Sequence, residues 1–292
     1  MIRVANDWKD YKILATGDGQ KLERWGNLVL LRPDPQVIWK SQSLRENSGK
    51  INAKYIRSNQ GGGRWEYKGS IPDNFVISRK GLKFSLKLMG FKHTGLFPEQ
   101  AVNWDIMQSL IERSGRQIKV LNLFAYTGGA TVACAKVGAH VTHVDAAKAM
   151  VDRAKTNAAL SEVPSDRVRY IVDDCSKFIA REIRRGNKYD AIIMDPPSYG
   201  RGANGEVWKL EDCIFDLVTE CAKVLSDDPL FFLINSYTTG LQPQVIDNLL
   251  RLTLRDFDGK SEAYEVGLPT EEGLILPCGC SGLWIGSSKG SR

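Results

Sequence analysis

From residue 104 to about 254 the chain alternates helical and strand periodicity without a break, and this alternation constrains its fold more than any other feature. WDIMQSLIERS (104–114) has the spacing of an amphipathic helix, and KVLNLFAY (119–126) reads as a strand. GATVACAKVG (129–138) is then helical, HVTHVD (140–145) a strand, AKAMVDRAKTNAALS (147–161) a helix and RVRYIVDD (167–174) a strand. The pattern repeats through CSKFIAREIRRG (175–186), YDAIIMD (189–195), WKLEDCIFDLVTECAKVLS (208–226), LFFLINS (230–236) and PQVIDNLLRLTL (243–254). PPSYGRGANG (196–205) reads as a loop, and EAYEVGLP (262–269) and SGLWIGSS (281–288) as two closing strands. Strictly alternating elements bury both faces of a sheet only by crossing over it. The expected fold is therefore α/β, a doubly wound, Rossmann-like, seven-stranded and mostly parallel sheet. Such sheets bind ligands beyond the carboxyl ends of their strands, where the strand order reverses.

Residues 1–90 have a different texture. NLVLL, QVIW, NFVI and LKFSLKL are strand-length runs separated by Pro, Gly, Asp and Asn, and Gly61-Gly62-Gly63 marks a turn or break. They predict a small antiparallel β domain that binds substrate or acts as a lid, with 91–292 forming the α/β domain. Arg24, Arg32, Arg57, Arg64 and Lys68, with Trp25 and Trp65, either make a basic aromatic platform for nucleic acid or divide into a solvated face and a small core.

The first strand–helix turn narrows the ligand. A dinucleotide turn needs G-x-G-x-x-G so that the backbone can approach a pyrophosphate. Here the turn is Ala125-Tyr126-Thr127-Gly128-Gly129-Ala130, with no G-x-G and with Tyr126 placed to crowd a pyrophosphate. S-adenosylmethionine, with an adenosine and an amino-acid tail but no phosphate, fits better, its carboxylate met by turn amides and a helix N-terminus. Acids close the next strands. Asp145 can accept from ribose hydroxyls, and Asp173-Asp174 can accept from an adenine amine. The fourth strand ends in Asp195-Pro196-Pro197-Ser198-Tyr199. Its prolines fix the backbone and remove two N–H donors, which leaves a carboxylate and a proline carbonyl as acceptors for a planar amino or ring N–H group. Tyr199 can stack on a base taken out of its helix.

These segments, LNLFAYTGG…HVD…VDDC…MDPPSYG, resemble the class I S-adenosylmethionine-dependent methyltransferases, and within them the group of the bacterial 23S ribosomal RNA (cytosine-C5) and guanine methyltransferases. That group's motifs read N-x-F-[SA]-Y-T-G-G and D-P-P-x-[FY]. The stretch His93–Gln100 is similar to its T-G-x-x-x-D-Q segment. The likeness runs from about 90 to about 240, and no PUA-type RNA-binding domain is recognisable. It implies that Tyr126, Thr127 and Gly128 line the methionine end, that Asp145 holds the ribose with Ala146 beside the adenine, and that Asp174 holds the adenine amine. Gln100 would close over the cofactor. Asp195 would lie near the reacting methyl, with Pro196, Pro197 and Tyr199 toward the substrate.

Cytosine C5 is a nucleophile only after a thiolate adds at C6. The C5 members of the group carry that cysteine after the fifth strand, in a segment like F-S-C-S, whereas this chain reads Ile234-Asn235-Ser236-Tyr237-Thr238-Thr239-Gly240. A nitrogen target is therefore favoured, and Cys278 and Cys280 are expected to pack in a tight turn. Scattered cysteines without paired CxxC spacing, and only three histidines, predict no metal site. A net charge of +6 permits a nucleic-acid partner without requiring one. With no apolar run of membrane length and no signal-like N-terminus, a cytoplasmic protein acting on RNA, most plausibly ribosomal, is the leading expectation. A methyltransferase for a small molecule or protein, and a non-catalytic cofactor-binding module, are the alternatives.

Overall fold

The computed structural model describes residues 1–58, 62–90, 92–201, 207–238 and 240–287. The expected turn glycine Gly61 and part of the 196–205 loop lie outside them. The chain divides into two compact units, one of Arg3–Val102 with Val266–Cys278, the other of Met1–Ile2, Asn103–Glu265 and Gly279–Arg292. The sequence reading divides the chain at 90/91 and keeps everything after that together. The difference at 266–278 has a local cause. Glu272 accepts from the Thr16 amide (2.7 Å) and from the hydroxyls of Thr16 and Ser41, and the Glu271 amide donates to the Ile13 carbonyl.

A three-residue strand, β1 (Ile2–Val4), opens the chain. The first unit is then built on β2 (Tyr11–Gly17), β3 (Gln20–Trp25), β4 (Leu28–Pro33), α1 (Gln42–Glu46), β5 (Ala53–Arg57), β6 (Gly63–Tyr67) and the hairpin β7 (Phe75–Arg79)–β8 (Leu82–Leu86). Strands β2 to β6 form one sheet in chain order, antiparallel except for β4 against β5, which α1 separates in sequence. QVIW is not a strand. The carbonyls of Val37 and Trp39 instead accept from the Gly19 and Asp18 amides of the β2–β3 turn, so this backbone is committed to a loop. The unit's core holds Ile13, Leu22, Trp25, Leu30, Ile77 and Phe84. Glu23 is buried within it. Its carboxylate accepts from Arg32 Nε and Nη2 (2.6 and 2.8 Å) and from the Tyr11 hydroxyl (2.7 Å).

In the second unit, α2 (Ala101–Arg113) precedes β9 (Lys119–Leu123), α3 (Gly129–Lys136), β10 (His140–Asp145), α4 (Lys148–Leu160), β11 (Val168–Val172), α5 (Cys175–Arg185) and β12 (Ala191–Met194). A small hairpin, β13 (Tyr199–Arg201) and β14 (Val207–Lys209), leads into α6 (Leu210–Ala222), β15 (Phe231–Ser236), α7 (Pro243–Thr253), β16 (Gly259–Pro269) and β17 (Ile275–Gly286). The large sheet has the order β1-β16-β17-β15-β12-β9-β10-β11, the seven expected strands plus β1 at an edge. Strands β9, β10, β11, β12 and β15 run parallel, and β17 is antiparallel to β15. Every residue of β12 and β15 is buried, as expected for central strands covered on both faces. Ile192 and Met194 of β12 and Phe232 and Ile234 of β15 join Leu121, Leu123, Phe178, Val218 and Trp284 in one core. The chain winds outward through β9, β10 and β11, then returns to add β12 on the other side of β9. The reversal lies between β9 and β12, and the two candidate loops follow those two strands.

Candidate active site

Strand β9 ends at Leu123, three residues short of the sequence expectation, because Phe124 and Tyr126 take left-handed backbone (φ 54° and 51°). Two such residues so close together turn the chain sharply. Gly128 follows at φ 82° as the N-cap of α3, where a Cβ would stand 2.8 Å from the Ala154 Cβ. Both its conformation and the closeness of α4 require glycine.

Asp145, ending β10, holds this turn in shape. One carboxylate oxygen accepts from the Tyr126 amide and the other from the Ala147 amide, each at 2.8 Å. A carboxylate oxygen accepts along two directions, so Asp145 retains acceptor capacity for a diol. The Thr127 carbonyl accepts from the buried Asn157 amide at 2.8 Å. Beneath the turn a buried chain runs from the Asn122 amide to Thr131 Oγ1 and on to His143 Nδ1, each contact 2.9 Å. Burial pushes the His143 pKa down to about 3, so the imidazole is neutral. Asn122 and His143 are polar residues within apolar strand runs, and that was the signal available in the sequence.

Asp174 is exposed and caps α5, accepting from the Lys177 amide at 2.9 Å. One oxygen is thereby used and the other remains for a ligand. Its neighbour Asp173 pairs with Arg181. Ala146 follows Asp145 on the surface. Gln100 belongs to the first unit, buried in the 3-10 turn Pro98–Gln100, and is not among the residues that this unit brings together.

The Asp195–Tyr199 segment leaves β12 and enters the β13–β14 hairpin. Pro196 is buried, Pro197 exposed, and Tyr199 is 52% exposed. The Trp208 indole N–H donates to the Pro197 carbonyl at 2.6 Å, so that carbonyl is occupied within the protein. The Ser198 carbonyl accepts from the Leu210 amide (3.1 Å), and Ser198 Oγ accepts from the Thr238 hydroxyl (2.6 Å). The last bond ties this loop to the one after β15. There Tyr237 packs on Gly279, where a Cβ would lie 2.9 Å from its ring and 2.7 Å from the Ser236 carbonyl. Asn235 Oδ1 accepts from Asn103 (3.0 Å) and Ser281 (2.8 Å), and Asn103 Oδ1 accepts from the Tyr264 hydroxyl (2.7 Å), all of them buried. Trp208, Thr238 and this network were not singled out in the sequence. Each gains its meaning from a partner distant along the chain.

Of the two readings left open for the N-terminal basic and aromatic residues, the platform loses three members: Arg32 is buried against Glu23, Trp25 has no exposed surface, and Trp65 is buried as well. The tight turn expected around Cys278 and Cys280 needs correction, because both lie within β17, which starts at Ile275. Burial pushes the Cys278 thiol well up and the Cys280 thiol up to about 11. Among the described residues no group of His, Cys, Asp and Glu could hold a metal ion, and no helix is long and apolar enough to cross a membrane.

Residues 59–208 match the family of S-adenosylmethionine-dependent methyltransferases. The ribosomal RNA large subunit methyltransferase K of Neisseria meningitidis is 26% identical over 80% of this chain and 66% of its own length. The K/L enzyme of Colwellia psychrerythraea is 25% identical over 73% of this chain and 29% of its own. The chain thus spans less than two thirds of these curated relatives. A crystal structure of an S-adenosylmethionine-dependent methyltransferase from Agrobacterium tumefaciens superimposes with a TM-score of 0.92 at 33% identity, covering 98% of this chain and 93% of that one. The chain belongs to the S-adenosylmethionine-dependent methyltransferase family, and S-adenosylmethionine is its cofactor.

Proposed function

We propose that this enzyme transfers the methyl group of S-adenosylmethionine to a base nitrogen of RNA, most specifically ribosomal RNA of the large subunit, in the cytoplasm. The observation that carries the reading is the Asp195-Pro196-Pro197-Ser198-Tyr199 loop at the end of β12, across the strand-order reversal from the cofactor turn. The names of the similar proteins support RNA as the substrate class.

In this reading the N-terminus of α3 holds the amino-acid tail, with Tyr126, Thr127 and Gly128 lining it. Asp145 holds the ribose diol, Ala146 flanks the adenine, Asp174 takes the adenine amine through its unused oxygen, and Gln100 closes over the cofactor. The bound cofactor supplies an electrophilic methyl on a sulfonium whose departure leaves a neutral thioether. The protein's part is therefore placement and exclusion of water. Asp195 orients the acceptor's N–H group, Pro196 and Pro197 keep the loop rigid, and Tyr199 stacks on the base. The nitrogen target is supported by the segment Ile234–Gly240, which holds no cysteine and has Tyr237 near the place where the C5 members carry theirs. Residues 91–292 serve as the catalytic domain and 1–90 as the substrate-binding or lid domain.

A second reading, a small-molecule or protein substrate, is favoured by the burial of Trp25, Trp65 and Arg32, which removes the aromatic platform expected for RNA. Tritium transfer from labelled S-adenosylmethionine separates the two. Hypomethylated ribosomal RNA, intact subunits and a metabolite extract are offered in parallel, with Asp195→Ala as the blank. Label in RNA, assigned by nucleoside digestion to an N-methylated base, is the expected result. Label only in small molecules or protein overturns RNA as substrate, and a C5-methylated base overturns the nitrogen assignment.

A further inference from the structure

Trp208 is the side chain that touches both candidate loops. Its indole N–H, which can only donate, holds the Pro197 carbonyl at 2.6 Å. Its ring meets Phe124 at 5.6 Å between centroids, tilted by 46°. Phe124 is the first left-handed residue of the cofactor turn, and its amide donates to the buried Cys175 Sγ at 3.3 Å. Trp208 itself stands in β14 directly opposite Gly200 of β13, in the hairpin that continues the Asp-Pro-Pro loop. The loop's other two anchors, the Leu210 amide and the Thr238 hydroxyl on Ser198, come from α6 and the β15 loop.

We infer that Trp208 is a positioning residue, which couples the cofactor turn to the substrate loop through Phe124 on one side and the Pro197 carbonyl on the other. The inference rests on the reading of Asp195–Tyr199 as the substrate loop and goes beyond it by naming what sets that loop. Cofactor seated against the 124–129 turn restrains Phe124, Phe124 backs the indole, and the indole fixes Pro197. One acceptor direction of the Pro197 carbonyl is therefore used in holding the loop. An ordered substrate loop then depends on an occupied cofactor turn, so that the acceptor is aligned only when a methyl donor is present.

The test needs no substrate. Hydrogen exchange at the Tyr199 and Gly200 amides is followed by NMR in the wild-type protein, Trp208→Phe and Trp208→His, with and without S-adenosylhomocysteine. Its affinity is measured by calorimetry, and Tm serves as a folding control. Without ligand, Trp208→Phe, which keeps a ring against Phe124 but loses the donor, is expected to exchange at least tenfold faster than wild type. Trp208→His, which retains a ring N–H, is expected to recover part of that difference. Equal rates in all three proteins overturn the tie. With S-adenosylhomocysteine, wild type is expected to slow a further fivefold or more. Trp208→Phe is expected to bind within threefold of the wild-type affinity yet show no such slowing. A full ligand response in Trp208→Phe overturns the coupling. Failure of wild type to bind S-adenosylhomocysteine would count against the assignment of the turn, while the ligand-free rates still decide the tie.

Discussion

In the unit built on the N-terminal residues, the sheet buries full charges. Glu23 lies against Arg32, with Lys21 at 3.7 Å and the Tyr11 hydroxyl closing the shell. Burial alone would raise the Glu23 carboxyl, but Arg32 and Lys21 outweigh it and hold its pKa at about 2. In the other unit, two buried polar networks are neutral: Asn103, Asn235, Ser281 and Tyr264 in one, Asn122, Thr131 and His143 in another. That unit's buried carboxylates, Glu182 and Asp247, lie on α5 and α7 rather than on strands. A buried ion pair contributes little net stability over an apolar replacement, yet breaking it is severe, so it fixes one arrangement of the small sheet. Neutral networks can rigidify strand ends without adding a fixed charge beside a reaction in which a sulfonium loses its own.

The comparison can be broken most directly at Glu23. Glu23→Ala leaves the Arg32 guanidinium buried without its partner and should cost about 3–5 kcal/mol in urea unfolding. A loss below 1 kcal/mol would mean that the pair is not the keystone of its sheet.

The next effect is pH dependence. His143 is neutral when folded, with its pKa lowered to about 3, and titrates near 6.5 when unfolded. Below 6.5 the unfolded state binds a proton that the native state refuses. Stability therefore falls with falling pH, by about 2 kcal/mol at pH 5. His93, in the first unit, is lowered to about 4 and adds to the same slope, so the double variant His93→Gln/His143→Gln is the one expected to flatten it. Glu23 acts lower. Its depressed carboxyl stabilises fully above about 4.5, and that contribution is lost as pH falls toward 2. Denaturant midpoints between pH 7 and pH 3 would resolve the two windows. An unchanged slope in the double variant would remove the histidines from the account.

Asn103→Leu tests the neutral network. It deprives the Tyr264 hydroxyl of its acceptor and Asn235 of a donor, and should cost about 1–3 kcal/mol with a pH-independent offset. Were it to cost more than Glu23→Ala, the contrast between charged and neutral burial would reverse. The smallest effect is expected for Tyr11→Phe, about 1 kcal/mol, since Arg32 still satisfies both Glu23 oxygens.

The large sheet and its order of elements were legible because apolar periodicity, glycine and proline act over a few residues. Even there, β9 stops early where Phe124 and Tyr126 turn left-handed, and β14 takes Trp208 and Lys209 from the start of the expected helix. The acids at the ends of β10, β11 and β12 were legible for the same local reason: each sits where an apolar run stops. The N-terminal half was read less well. Its strands β2, β3, β5 and β6 carry buried or paired charges that mask alternation, and QVIW has strand composition but spends its carbonyls on a turn.

By itself the sequence determined the alternation that builds the doubly wound sheet, the absence of a pyrophosphate turn, and the carboxylates and paired prolines at the strand ends. All of these are set by neighbours along the chain. Only the tertiary structure decided that Arg32 faces Glu23 rather than solvent, that Trp208 occupies the Pro197 carbonyl, that Ser198 is tied to Thr238, and that Asn103 reaches Asn235 and Ser281. Burial and hydrogen-bond partnership are properties of pairs, and these partners stand 9 to 178 residues apart. No local pattern could have joined them before the core closed around them.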